Sequence, residues 1–138
     1  MKGELMGQPA ATEGSMVVGV DMHIVMVPSP GGPIPTPLPH PFNGQIDGAT
    51  VPTVKIMGKP AAVVGSQATN SPSHIATPPG TSFQVPPQNK STIQLGSATV
   101  KIGGKQAARN ADMSVDCDDI TPTAPKGQVI AVGTVMIG

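Results

Sequence analysis

The sequence has no tryptophan, no tyrosine and only two phenylalanines, Phe42 and Phe83, in 138 residues. Aromatic rings supply much of the buried area in an ordinary core, so this core must rest on Val, Ile, Ala, Leu and Met. Charge is also scarce, at 12% of residues, with eight Lys and Arg against eight Asp and Glu and a formal net charge of zero. That balance excludes the basic stripe a nucleic-acid surface needs, and equally a solvated acidic tail. A single cysteine, Cys117, excludes an intrachain disulfide. The opening MKGELMGQPA contains Glu4 and no apolar core, which is not the pattern of a signal peptide. The longest apolar run, MVVGVDMHIVMV, has 12 residues and contains Asp21 and His23, too short and too polar to span a bilayer. Together these absences read as a chain made and folded in the cytosol.

What is abundant is glycine and proline, 17 of each, a share at which disorder competes with folding. The β-branched runs between the Pro-rich stretches are regular, which favours a fold, and the length fits one domain over residues 1–138. A core this lean needs a staple or a partner. Helical periodicity is nearly absent, and short apolar runs closed by glycine predict an all-β chain.

The runs repeat. STIQLGSATVKIGGKQAAR, residues 91–109, predicts a three-stranded meander over 92–95, 99–102 and 105–109, with turns at GS and GG. GQIDGATVPTVKIMGKPAAVV, residues 44–64, repeats it: TVKIMGKPAA aligns on TVKIGGKQAA at a constant offset of 46 residues. A third copy is split. The chain ends in GQVIAVGTVMIG, two strands without the third, and begins with MGQPAATEGS, the missing third strand. The termini are therefore expected to meet in one sheet and close a third unit about a pseudo-threefold axis.

The cassette serves as a ruler. His23 lies 16 residues after Gly7, His74 lies 16 after Gly58, and Cys117 lies 13 after Gly104. Each unit thus places one soft or borderline ligand at about the same point, and threefold symmetry makes the three converge. The remaining histidine, His40, sits in what reads as a Pro-rich loop, PLPHPF. Three histidines and one cysteine are the four ligands of a closed tetrahedral zinc site, and thiolate with imidazole favours zinc over magnesium or calcium. No CxxC or HxxxH spacing supports the set, and a lone histidine in such a loop is usually a surface residue. The repeat register sets these four apart. Asp21 and Asp116 are expected to accept imidazole N–H groups beside the metal, and Asp118 and Asp119 to be solvated turn residues. Four protein ligands leave no open position for water, and no Ser–His–Asp, Cys–His or phosphate-loop pattern spares residues for catalysis, so the zinc is expected to be structural and the chain not an enzyme.

GKPAAVVGS, GKQAARNAD and GQPAATEGS resemble the Pro-Ala-Ala-Arg cassette of PAAR-repeat proteins, and DMHIVMVPSPGGPIP with PHPF resembles that family's Asp-Leu-His…Pro-His segment. The resemblance spans essentially the whole chain. It departs in detail: Arg109 is the single arginine, its copy has Gln106 where the motif has proline, and the ligands His74 and Cys117 stand in exchanged repeats. The resemblance implies a small conical β-structure of three pseudo-threefold repeats with zinc near the apex. It implies a base that caps a trimeric β-helical (VgrG-like) spike of a contractile injection machine, such as a type VI secretion system, one tip per trimer. It also implies cytoplasmic assembly, delivery on the spike, transient contact with a target membrane, and cargo carried non-covalently, since the repeats use both termini. Two alternatives stay open at this point: a stand-alone zinc-stapled β module that binds a protein or glycan, and a small metalloenzyme with three ligands and His40 free as acid or base.

Overall fold

The structure, a computed structural model, describes residues 7–119 and 124–138; Glu4, and the Met6 that precedes the first cassette, lie outside the described residues. Among the described residues the chain forms strands and turns and no helix. In order the strands are β1 (Gln8–Pro9), β2 (Met16–Val27), β3 (Ile34–Gly48), β4 (Val51–Ile56), β5 (Lys59–Ala61), β6 (Gln67–Asn70), β7 (Ser82–Phe83), β8 (Lys90–Ile93), β9 (Lys101–Ile102), β10 (Lys105–Gln106), β11 (Met113–Val115), β12 (Pro125–Ile130) and β13 (Met136–Ile137).

Each repeat supplies two strands to a closed ring and one hairpin at the end of that ring. The ring runs β2, β3, β6, β8, β11, β12 and back to β2, antiparallel throughout. The hairpins are β4–β5, β9–β10 and β1–β13. The last joins the two ends of the chain, with Gln8 opposite Ile137 and Pro9 opposite Met136, as the split repeat predicts. The meander expected in each unit differs from the structure in its bounds, with β8, β9 and β10 in place of 92–95, 99–102 and 105–109, and in its pairing. Its first strand does not pair with the hairpin but enters the ring, as β8 does between β6 and β11. A closed ring leaves no free edge, whereas a separate meander would leave two.

The three cassettes meet on the pseudo-threefold axis. Ala62 N–H donates to Ala11 O, Ala108 N–H to Ala62 O and Ala11 N–H to Ala108 O, each at 3.0 Å. This cycle of hydrogen bonds explains why the second alanine recurs. All three are fully buried, and a longer side chain on any of them would have no space in a close-packed interior.

The turn that follows is also repeated. The N–H groups of Thr12, Val63 and Arg109 donate to the side chains of Ser15, Ser66 and Asp112 at 3.0, 3.0 and 2.7 Å. The residue just before each acceptor is left-handed: Gly14 at φ 92°, Gly65 at 100° and Ala111 at 73°. Glycine takes that conformation freely, while an L-residue is strained there by about 1–2 kcal/mol. Ala111→Gly should therefore raise stability by about 1 kcal/mol, moving the thermal midpoint up about 4 °C. Gly14→Ala should lower it. Circular-dichroism melts check both, and equal midpoints would show that the strain is absent.

Inward-facing residues follow the two-residue period of a strand. Val17, Asp21, His23 and Val25 face inward from β2, and His40, Phe42 and Ile46 from β3. Near the alanine cycle the interior is apolar, formed by Val17, Phe42, Ile46, Ala68, Ile93 and Val129.

The Pro-rich stretch IPTPLPHPF, expected to be a loop, is the first half of β3 and pairs with β2 from Ile34↔Val27 onward. The prolines alternate, at 35, 37, 39 and 41. Asn43, of the same parity, points its N–H away from β2 to Asn70 Oδ1 at 2.8 Å. The N–H groups the prolines lack would point to that same outer edge, so no bond to β2 is lost. The edge offers no donors there, which blocks addition of a further strand. β2 and β3 thus continue beyond the ring with only β7 added, at Val25 and Met26. The strand count falls from six to three along the axis, and the fold narrows toward this end.

Candidate metal centre

Where the fold narrows, the interior turns polar. Asp21 and His23 lie two apart on β2 and so share its inner face. His40 is the register partner of Asp21 on β3. His74 follows β6, and Cys117 follows β11. Asp21 and His23 are completely buried, and the His74 side chain is 3% exposed.

The three imidazoles form a near-equilateral triangle, with ring centroids 5.3 Å (His23–His40), 4.9 Å (His23–His74) and 5.5 Å (His40–His74) apart. Ligand atoms of Asp21, His23, His74 and Cys117 lie within 4.8 Å of one another. Asp21 Oδ2 is the hub: His74 Nε2 is 2.8 Å away, the Cys117 thiol donates to it at 3.2 Å, and His23 Nε2 lies at 3.9 Å. Cys117 Sγ is 3.6 Å from His23 Nε2. Of the four ligands read from the sequence, three therefore fall in this group. His40 stands beside it, with Nδ1 donating to Leu38 O at 2.9 Å and Nε2 accepting the Thr77 N–H at 3.1 Å. Asp21, expected only as an acceptor, is close enough to be a ligand itself. Its signal was its parity with His23 on one strand.

The polar atoms here are incompletely satisfied. Asp21 Oδ1, His23 Nδ1 and Asp116 Oδ2 are buried without a hydrogen-bond partner among the described residues. Asp119 Oδ1 approaches His23 Nδ1 to 3.2 Å, but off the direction a bond requires. Burial, then the hydrogen bond to Asp21, pushes the Cys117 thiol up to about 12. Burial lowers His40 below the usual histidine range, against the pull of the Leu38 carbonyl. Buried imidazoles, a thiol and carboxylates with orphaned atoms form a donor set that suits a divalent cation, and a cation there would favour the thiolate.

The flanking aspartates need correcting. Asp116 meets no imidazole: it accepts from Ser91 Oγ at 2.6 Å and Ser114 Oγ at 3.0 Å. Asp118 and Asp119 are not solvated turn residues. Asp118 Oδ2 accepts the Met22 N–H at 3.2 Å and Asp119 Oδ2 the Ile24 N–H at 3.0 Å. They occupy the gap along the edge of β2 between β12, which reaches Val18, and β7, which starts at Val25. Backbone donors left by that gap must find acceptors, and the carboxylates supply them.

Burial raises Asp116 to about 6, with the facing Asp21 adding to the shift and the two serine hydroxyls opposing it. The native metal-free protein then holds a proton that the unfolded chain releases near pH 4. Its stability should fall as pH rises from about 4 to about 6, by roughly 3 kcal/mol. Denaturant midpoints across that range check the slope, and Asp116→Asn should remove it.

An all-β chain with three equivalent repeats around one axis, narrowing onto a buried cluster that could hold a metal, is the class of protein that fold and site define. The family model described as PAAR motif matches residues 26–121. The chain belongs to the PAAR motif family. No curated protein and no solved structure matches it.

Proposed function

We propose that this chain is the tip of a contractile injection machine: it caps a trimeric β-helical, VgrG-like spike, sharpens it for passage through a target membrane, and has its apex tied by one structural zinc ion. The observation that carries the reading is the alanine cycle. It makes a single chain present three equivalent hairpins about one axis, the symmetry that the end of a homotrimer offers. Exposed apolar side chains belong to two of the hairpins, Val54 and Met57 on one, Val135 and Met136 on another, and docking would cover them. The opposite, narrow end would lead.

The proposed ligands are His23, His40, His74 and Cys117, with Asp21 beside them as a further donor. A zinc ion bound there would supply cross-links, not chemistry, between β2, β3 and the segments that follow β6 and β11. The chain's own residues do the rest. Leu38 O and Thr77 N–H orient His40, Asp21 gathers His74 and Cys117, and Asp118 and Asp119 pin the edge of β2. No catalytic role is proposed. Assembly would occur in the cytoplasm, with export on the spike.

Co-purification with a VgrG-like spike trimer tests the docking. One tip chain per three spike chains is expected. Equimolar binding, or none, would favour a stand-alone zinc-stapled module instead.

A further inference from the structure

The side chains behind His74 determine which of its nitrogens carries the proton. Asn70 Oδ1 accepts the backbone N–H of Asn43 at 2.8 Å, and Asn89 Oδ1 accepts the backbone N–H of His74 at 2.8 Å. A backbone amide only donates, so each bond fixes which end of the side-chain amide is the oxygen. Asn70 must then turn its NH2 group toward both Asn89 Oδ1 and His74 Nδ1, each at 3.2 Å. With Nδ1 accepting, the ring proton of a neutral His74 sits on Nε2 and is donated to Asp21 Oδ2 at 2.8 Å. The lone pair of the ring therefore faces away from the ligand cluster.

His40 has the reverse arrangement. Leu38 O can only accept, so Nδ1 carries the proton, and Thr77 N–H can only donate, so Nε2 holds the lone pair. His40 thus holds its proton on the opposite nitrogen from His74, but its Nε2 lone pair is taken by the Thr77 N–H, a bond it must give up in order to ligate.

We propose that Asn70 is a positioning residue that holds His74 in the Nε2–H tautomer and thereby weakens the site's grip on its metal. This rests on the metal reading given above. A metal-bound imidazole normally donates its other N–H to a carboxylate or carbonyl. To ligate through Nε2, His74 must move its proton to Nδ1, where an NH2 group stands in place of an acceptor. The geometry makes the affinity of the centre adjustable by one side chain that never touches the ion.

The test has two readouts. Long-range proton–nitrogen NMR on metal-free protein reports the tautomer directly, and competition with a chromophoric chelator reports zinc affinity. Wild type should show His74 as Nε2–H. Asn70→Asp, which supplies an acceptor, should move the proton to Nδ1 and tighten zinc binding about tenfold or more. An Nδ1–H tautomer in the wild type would overturn the proposal, and that spectrum needs no variant to fold. A moved proton with unchanged zinc affinity would overturn it as well. If neither protein binds zinc while the wild-type tautomer is as stated, the metal reading fails, the tuning role fails with it, and only the tautomer assignment survives.

Discussion

Cys117→Ala should yield a protein that retains no zinc and melts far below the wild type, by more than about 10 °C. Structural zinc sites contribute about 10 kcal/mol or more of apparent binding energy, against the 5–15 kcal/mol that typically stabilises a whole domain. Removing one of four ligands forfeits most of that contribution, and a loss of several kcal/mol at this chain length corresponds to such a drop. The comparison with chelator-stripped wild type isolates the metal. Without a cation, the Cys117 thiol donates to Asp21, and its other contacts, with His23 Nε2 and the Asn89 and Lys90 backbone, are weak. Losing that hydrogen bond should cost only about 1 kcal/mol, so the variant and the stripped wild type should melt close together. A variant that melts with the untreated wild type would show that the cysteine does not anchor a stabilising ion.

Ala62→Leu is expected to be the most damaging apolar substitution at the opposite end of the fold. Ala62 N–H bonds Ala11 O, and its own carbonyl takes the Ala108 N–H, so its methyl group lies among two others at the axis. Overpacking a filled core costs typically 1–3 kcal/mol, and here the backbone cannot yield without breaking a cycle that joins all three repeats. A loss above about 3 kcal/mol in urea unfolding, or failure to fold, is expected. Ala62→Ser, of nearly the same volume, should cost much less. The equivalent changes at Ala11 and Ala108 should match Ala62→Leu, because the three positions are interchangeable about the axis. A mild effect at any one of them would argue against a shared closed cycle.

The repeat made a large part of this legible in the sequence. Equal spacing from Gly7 to His23 and from Gly58 to His74 brought out two residues of the cluster that could hold a metal, and the shorter count from Gly104 brought out Cys117. The split cassette foretold the pairing of β1 with β13. What was not legible depended on which strands become neighbours. The run at 92–95 announces a strand, formed as β8 at Lys90–Ile93, but its partners β6 and β11 are chosen by closure of the whole ring. The alternating prolines of β3 read as loop because proline usually ends a strand. Only the direction of their missing donors, known once β2 is in place, makes them compatible with one. Asn70 and Asn89 gave no signal at all, since their meaning lies in the backbone groups of Asn43 and His74 that they meet. Asp21 was half visible: its place two before His23 fixes its face, but not that its oxygen reaches both His74 and Cys117.

Native mass spectrometry of the purified chain tests the central claim most directly, because one spectrum reports both metal content and compactness. The account predicts a folded charge-state envelope carrying one zinc ion per chain as the main species, and a chelator-stripped protein that takes up one zinc ion again when zinc is added. A compact, metal-free protein as the main species, unchanged by added zinc, would contradict it.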